Sequence, residues 1–90
     1  MAQLITHQVA RAISREFPSV KRNGNLKVDD IDDVVTVTGF GANECEAFCR
    51  DVDSIVYSQF EGKIRALEWA VAEEYGYVQF SIIPETAHIA

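Results

Sequence analysis

Ninety residues, 48% of them hydrophobic, suffice to enclose one core and are expected to form a single α+β domain over 1–90. Eight Lys and Arg against fourteen Asp and Glu give a formal net charge of −6, which disfavours direct binding of nucleic acid or anionic membranes and favours encounter with basic surfaces. No apolar run approaches the ~20 residues of a membrane span, and Met1-Ala2-Gln3-Leu4-Ile5-Thr6-His7 lacks the basic and apolar regions of a signal peptide, so a cytoplasmic protein is expected.

From Gln3 to Phe17 the apolar residues Ile5, Val9, Ala12, Ile13 and Phe17 recur at helical spacing, and Pro18 marks the stop. Asn23-Gly24 signals a turn. Leu26 to Asp30 and the β-branched run Val34 to Gly39 then predict two strands, joined through Asp29 to Asp33. Asn43 is a predicted N-cap for a helix whose first turn carries Glu44 and Glu46. Along it Cys45, Phe48, Cys49, Val52, Ile55, Val56 and Phe60 share one face. After Gly62 the helical pattern resumes with Ile64, Leu67, Ala70, Val71 and Tyr75 and ends at Gly76. Val78, Phe80 and Ile82 alternate within Tyr77 to Ile83, a third strand closed by Pro84, and residues 84–90 read as a C-terminal tail. The predicted order is α-β-β-α-α-β, a three-stranded sheet with its helices packed on one face.

Four carboxylates, Asp29, Asp30, Asp32 and Asp33, fall within five residues. A calcium loop needs six to eight oxygens and a turn-making glycine, whereas Ile31 occupies the middle here. Cation binding is therefore the minor reading, beside an acidic knob for a basic partner and a solvated turn. Cys45 and Cys49, at i and i+4, supply two potential ligands where structural zinc wants four, and both lie on the apolar stripe. They read as free, buried thiols, with no metal expected. His7 and His88 have no Asp or Cys partner by spacing, and the serines lack a Gly-x-Ser-x-Gly setting, so no catalytic residue is assigned. Gly39-Phe40-Gly41, between a strand and a helix, has the outline of a phosphate-binding turn, but Glu44 and Glu46 would repel a phosphate, and no cofactor is expected.

Trp69 stands out. On a helical wheel it falls among Arg65, Glu68 and Glu73, opposite Leu67 and Val71, where it is either a partner anchor or covered by another part of the molecule. Tyr57 falls on the polar side of the preceding helix near Arg50, Asp53 and Ser54. Tyr57 and Trp69, bordered by Asp53, Glu61, Glu68 and Glu73, form the candidate contact surface, with Asp29, Asp30, Asp32 and Asp33 steering association.

The element order resembles that of type II KH RNA-binding domains, whose hallmark is a Gly-x-x-Gly loop between the two adjacent helices. The matching stretch here reads Phe60-Glu61-Gly62-Lys63-Ile64, with one glycine, and Lys21, Arg22 and Lys27 are the basic residues available to a groove. The leading expectation is a small acidic module that binds another protein with a basic surface, as an inhibitor or adaptor. Inhibitors that phages direct against host defence or nucleic-acid-binding complexes share this size and charge. A structural or assembly subunit, a homo-oligomer among them, is the alternative, followed by the nucleic-acid binding that the resemblance to KH domains implies.

Overall fold

The computed structural model describes residues 2–20, 24–41 and 43–84. Helix α1 (Ala2–Glu16) leads into strands β1 (Leu26–Asp29) and β2 (Val34–Thr38). Helix α2 (Cys45–Gln59) then precedes β3 (Ile64–Ala72) and β4 (Tyr77–Pro84). The strands form one antiparallel sheet in the order β1-β2-β4-β3. Since β4 runs antiparallel to both neighbours, β2 and β3 are parallel to each other, and α2 carries the chain from one to the other past the place that β4 fills last.

The register fixes which side chains share a face. Leu26 pairs with Val37, Val28 with Val35, Val35 with Phe80, Val37 with Val78 and Leu67 with Ile82. Apart from the half-buried Val28, all of these are buried. They meet Val9, Ala12 and Ile13 of α1 and Cys45, Cys49, Val52 and Val56 of α2 in one core, so both helices cover the same face. The opposite face carries Lys27, Thr38, Gln79, Glu68 and Ala70, all exposed, and no helix among the described residues lies over it.

The architecture is therefore α+β as expected, but with two helices and four strands rather than three and three. Residues 64–72, read as a helix from the spacing of Ile64, Leu67 and Val71, form strand β3: from Leu67 onward the pattern also fits an alternation in which Leu67, Trp69 and Val71 face the core side and Glu68 and Ala70 face away, and the register shift between Ile64 and Ala66 brings Ile64 into the same core. The α-β-β-α-α-β order, and with it the resemblance to KH domains, is replaced by α-β-β-α-β-β. Glu44, not Asn43, stands at the N-cap of α2. Its carboxylate accepts from the Gly41 amide at 2.7 Å. The expected tail lies outside the described residues beyond Pro84.

The chain contains an αββ arrangement twice, α1-β1-β2 and α2-β3-β4, meeting where β2 pairs with β4. Each hairpin closes through a four-residue loop, between Asp29 and Val34 and between Ala72 and Tyr77. The last loop residue has positive φ in both, 56° at Asp33 and 68° at Gly76. Asp33 holds this conformation because its side chain accepts from the Thr6 hydroxyl at 2.7 Å, while its carbonyl accepts from the Ile82 amide at 2.9 Å.

At Gly76 only glycine fits. A Cβ there would lie 2.5 Å from the Phe40 carbonyl oxygen, and the Phe40 amide donates to the Gly76 carbonyl at 3.0 Å, tying the second hairpin to the start of the α2 approach. Gly76→Ala should therefore cost about 2–3 kcal/mol in urea unfolding. Gly62→Ala, at φ 87° with open space around it, should cost only about 1 kcal/mol. Equal losses would show that backbone conformation alone, without the Phe40 contact, sets the requirement.

Candidate functional site

The acidic turn between β1 and β2 is built largely for itself. Asp29 accepts from the amides of Ile31 at 2.9 Å and Asp32 at 3.2 Å, closing an Asx turn. Asp30 pairs with His7 of α1, a partnership across 23 positions that sequence spacing does not reveal. Asp33 is engaged by Thr6, leaving exposed Asp32 beside Ile31, which is 90% exposed at the tip. These carboxylates fasten the turn to α1. Among the described residues no group of three or more His, Cys, Asp or Glu is placed to hold a metal ion.

The expected surface around Trp69 is divided by the strand assignment. Trp69 lies opposite Phe80 on the core side of β3 and is half-buried against the core. Glu68 projects from the open face, opposite Ser81. Exposed Glu61 sits in the turn before β3, and exposed Glu73 begins the β3–β4 turn. Tyr57 remains beside β3, half-buried, its hydroxyl donating to the Arg65 carbonyl at 3.4 Å.

A different site is assembled at the end of the molecule where the β3–β4 turn meets the N-terminus of α2. Phe48 of α2 contacts Phe17, just beyond α1, with ring centroids 5.0 Å apart at 64°, and Phe40, after β2, at 4.7 Å. It also reaches Phe80 in the core at 6.1 Å, which anchors the cluster to the sheet. These three half-buried rings, Phe17, Phe40 and Phe48, line an open groove of about 450 Å³, with Asn43, Glu44 and Asp51 on its exposed wall. Glu46, Glu73 and Glu74 lie exposed on α2 and the neighbouring turn, together with Tyr75, which is 75% exposed and stacks on Tyr77 at 6.3 Å. Among the described residues the basic group in an ion pair here is Arg50, which binds Glu46 at 3.0 Å. Apolar rings beside carboxylates suit a Lys or Arg side chain, whose stem packs on a phenyl while its head meets the acids.

Sequence reading singled out neither this groove nor Tyr75. Phe17, Phe40 and Phe48 belong to three separate segments, and only the fold brings them together. The signal present in the sequence was the acidic start of α2 beside Gly39-Phe40-Gly41, which repels phosphate and, by the same charge, attracts a cation.

Cys45 and Cys49 are buried beneath this end, as their place on the apolar stripe implied. Burial pushes the Cys45 thiol up from its ordinary value of 9.0, with Glu73 and Glu44 adding to the shift. Cys49 is pushed up to about 12 by burial, then by Cys45 and Glu46. Both are protonated and unreactive at neutral pH.

No protein-family model, curated protein or solved structure matches this chain. No helix among the described residues is long and apolar enough to cross a membrane.

The thiols give a signed pH dependence. A folded pKa raised above its unfolded value contributes stability that is complete below pH 9.0 and is lost as pH rises through about 12. Urea midpoints should fall across this window, and Cys49→Ala should make the fall shallower. At pH 8 a thiol-specific reagent should label neither cysteine until the protein is unfolded. Rapid native labelling would show that this end of the molecule opens.

Proposed function

We propose that the protein is a small acidic binding module that engages a basic segment of another protein, acting as an inhibitor or adaptor, through the groove of Phe17, Phe40 and Phe48. The observation that supports this most directly is the company these rings keep. Three phenyl groups that a monomer's core leaves half-buried stand beside Glu44 and Asp51, and Glu46, Glu73, Glu74 and exposed Tyr75 occupy the same end of the molecule. Aromatic side chains at the centre of a contact supply area that is lost from water, while surrounding carboxylates steer a cationic partner and reject anionic ones. The net charge of −6 extends that preference over the whole surface. Nucleic-acid binding, expected from the resemblance to KH domains, loses its support with the change in element order.

The turn at Asp29, Asp30, Asp32 and Asp33 has a supporting part in this reading. It adds to the long-range field, but its hydrogen bonds are directed inward. Binding of Lys- and Arg-rich peptides, measured by calorimetry, should weaken steeply with salt. Asp51→Lys should slow association. Phe40→Ala should chiefly speed dissociation, by roughly tenfold or more for a ring at the centre of the contact. Unchanged peptide binding in both variants would remove the groove from consideration. A partner captured from lysate should be lost with the same two substitutions.

A further inference from the structure

The walls of the groove come from three parts of the chain, but its charge comes from one line of α2. Glu44, Phe48 and Asp51 stand at i, i+4 and i+7, and the Phe48 amide donates to the Glu44 carbonyl at 3.1 Å, so the helical spacing already holds at Glu44. A phenyl ring therefore lies between two carboxylates whose backbone positions are about 10 Å apart along the helix. The two acids are not equivalent. The Glu44 carboxylate is turned back to the Gly41 amide at 2.7 Å, which fixes it beside the approach to α2. Asp51 is exposed and forms no hydrogen bond or ion pair among the described residues. Its neighbour Arg50 is held by Glu46 at 3.0 Å, on another line of the helix. Two carbonyls of the lining are also engaged, that of Phe17 by the Val20 amide at 2.8 Å and that of Thr38 by the Asn25 side chain at 3.2 Å.

We infer that the groove selects arginine over lysine, taking one guanidinium of the partner against Phe48 with Asp51 as the carboxylate that reads it. The inference rests on the groove being the binding site proposed above, and names the side chain that the site takes. A guanidinium is flat, weakly hydrated and able to stack on an aromatic ring, and its N–H groups point outward in its own plane. Against Phe48 it turns one edge to Asp51 as a two-bond fork, while its charge stays between Asp51 and Glu44. Glu44, whose carboxylate already serves Gly41, contributes field and not the fork. An ammonium is compact and strongly hydrated, and the phenyl groups of Phe17, Phe40 and Phe48 offer no replacement for the water it would lose. The apolar stems of the two side chains pack alike on these rings, so the discrimination lies in the head group.

Calorimetric titration with hexa-arginine and hexa-lysine peptides, equal in length and charge, reads the selection. Hexa-arginine should bind about tenfold more tightly at the same ionic strength. Asp51→Asn keeps the size of the side chain and removes its charge, and should bring the ratio to about twofold or less, chiefly by weakening hexa-arginine. Asp53→Asn removes the same charge from an exposed position on α2 outside the groove lining. It should weaken both peptides alike and leave the ratio near its parent value. Both substitutions are at exposed positions, and their thermal midpoints should match the parent. Two peptides bound with equal affinity would overturn the inference and leave the binding of a basic segment standing. So would a preference that survives Asp51→Asn, or one that Asp53→Asn abolishes. Binding of neither peptide would overturn both the inference and the reading on which it rests.

Discussion

Phe80 stands where the two halves of the sheet meet, fully buried, with Val35 opposite it on one side and Trp69 on the other. Its strand is the last described element in the chain, yet it occupies an interior place in the sheet. The first hairpin and the second cannot share a core until β4 is in position, and the β2–β4 ladder joins residues 39 to 47 positions apart, from Thr38 with Tyr77 to Val34 with Ser81. Such non-local pairing is entropically costly to initiate. Burial of Val78, Phe80 and Ile82 under both helices offsets that cost and makes the sheet one cooperative unit. The groove depends on the same residue, since Phe48 reaches Phe80 and holds Phe17 and Phe40 at the surface.

Most of the fold was legible because most elements follow a single period. The stripe of α1, the valine-rich β2, the apolar face of α2 and the alternation of β4 each admit one reading, and each forms with its ends within a few residues of expectation. β3 admits two. Ile64-Arg65-Ala66-Leu67-Glu68-Trp69-Ala70-Val71-Ala72 is rich in good helix formers, and from Leu67 onward its larger apolar residues satisfy an alternating spacing as well as a helical one, while Ile64 joins the strand only through the register shift before Ala66. The discordant sign was Trp69, which a helix would place among Arg65, Glu68 and Glu73 and a strand places opposite Phe80. Tertiary pairing decides such a segment, because a strand there completes a ladder and covers β4, a gain that local propensity cannot anticipate. The candidate site was less legible than the fold for a related reason. The acidic composition of residues 29–33 is plain in the sequence, but its internal hydrogen bonds to Thr6, His7 and the turn amides are not, and the aromatic groove draws on residues brought together only by folding.

The repeated αββ arrangement clarifies what is shared and what is particular. Each half uses a four-residue turn ending at positive φ, but the solutions differ. Asp33 is held there by a buried threonine, and Gly76 by the closeness of the Phe40 carbonyl. The first turn is thereby fastened to α1, and the second to the segment that opens α2. This second fastening places Glu73, like Glu44, near enough to Cys45 to add to the rise that burial gives its thiol. The charge at this end of the molecule is therefore a consequence of how the hairpin is anchored, and the backbone contact at Gly76 couples the stability of the fold to the arrangement of the carboxylates.

A net charge of −6 and the outer edge of β3, which from Ala66 onward pairs with no strand among the described residues, act against each other. Self-repulsion of the whole surface discourages association in arbitrary orientations. Hydrogen bonds along an edge reward association in any register that aligns backbone groups. Only a register that avoids placing carboxylates together escapes the first effect while keeping the second, and Glu68 in the middle of β3 narrows the choice. The same field acts on any other ligand, so a basic segment approaching the phenyl groove meets attraction where a second acidic copy meets repulsion. Charge in this molecule acts less as a source of affinity than as a filter on which contacts, among the many that its exposed backbone and aromatic surfaces could make, are allowed to form.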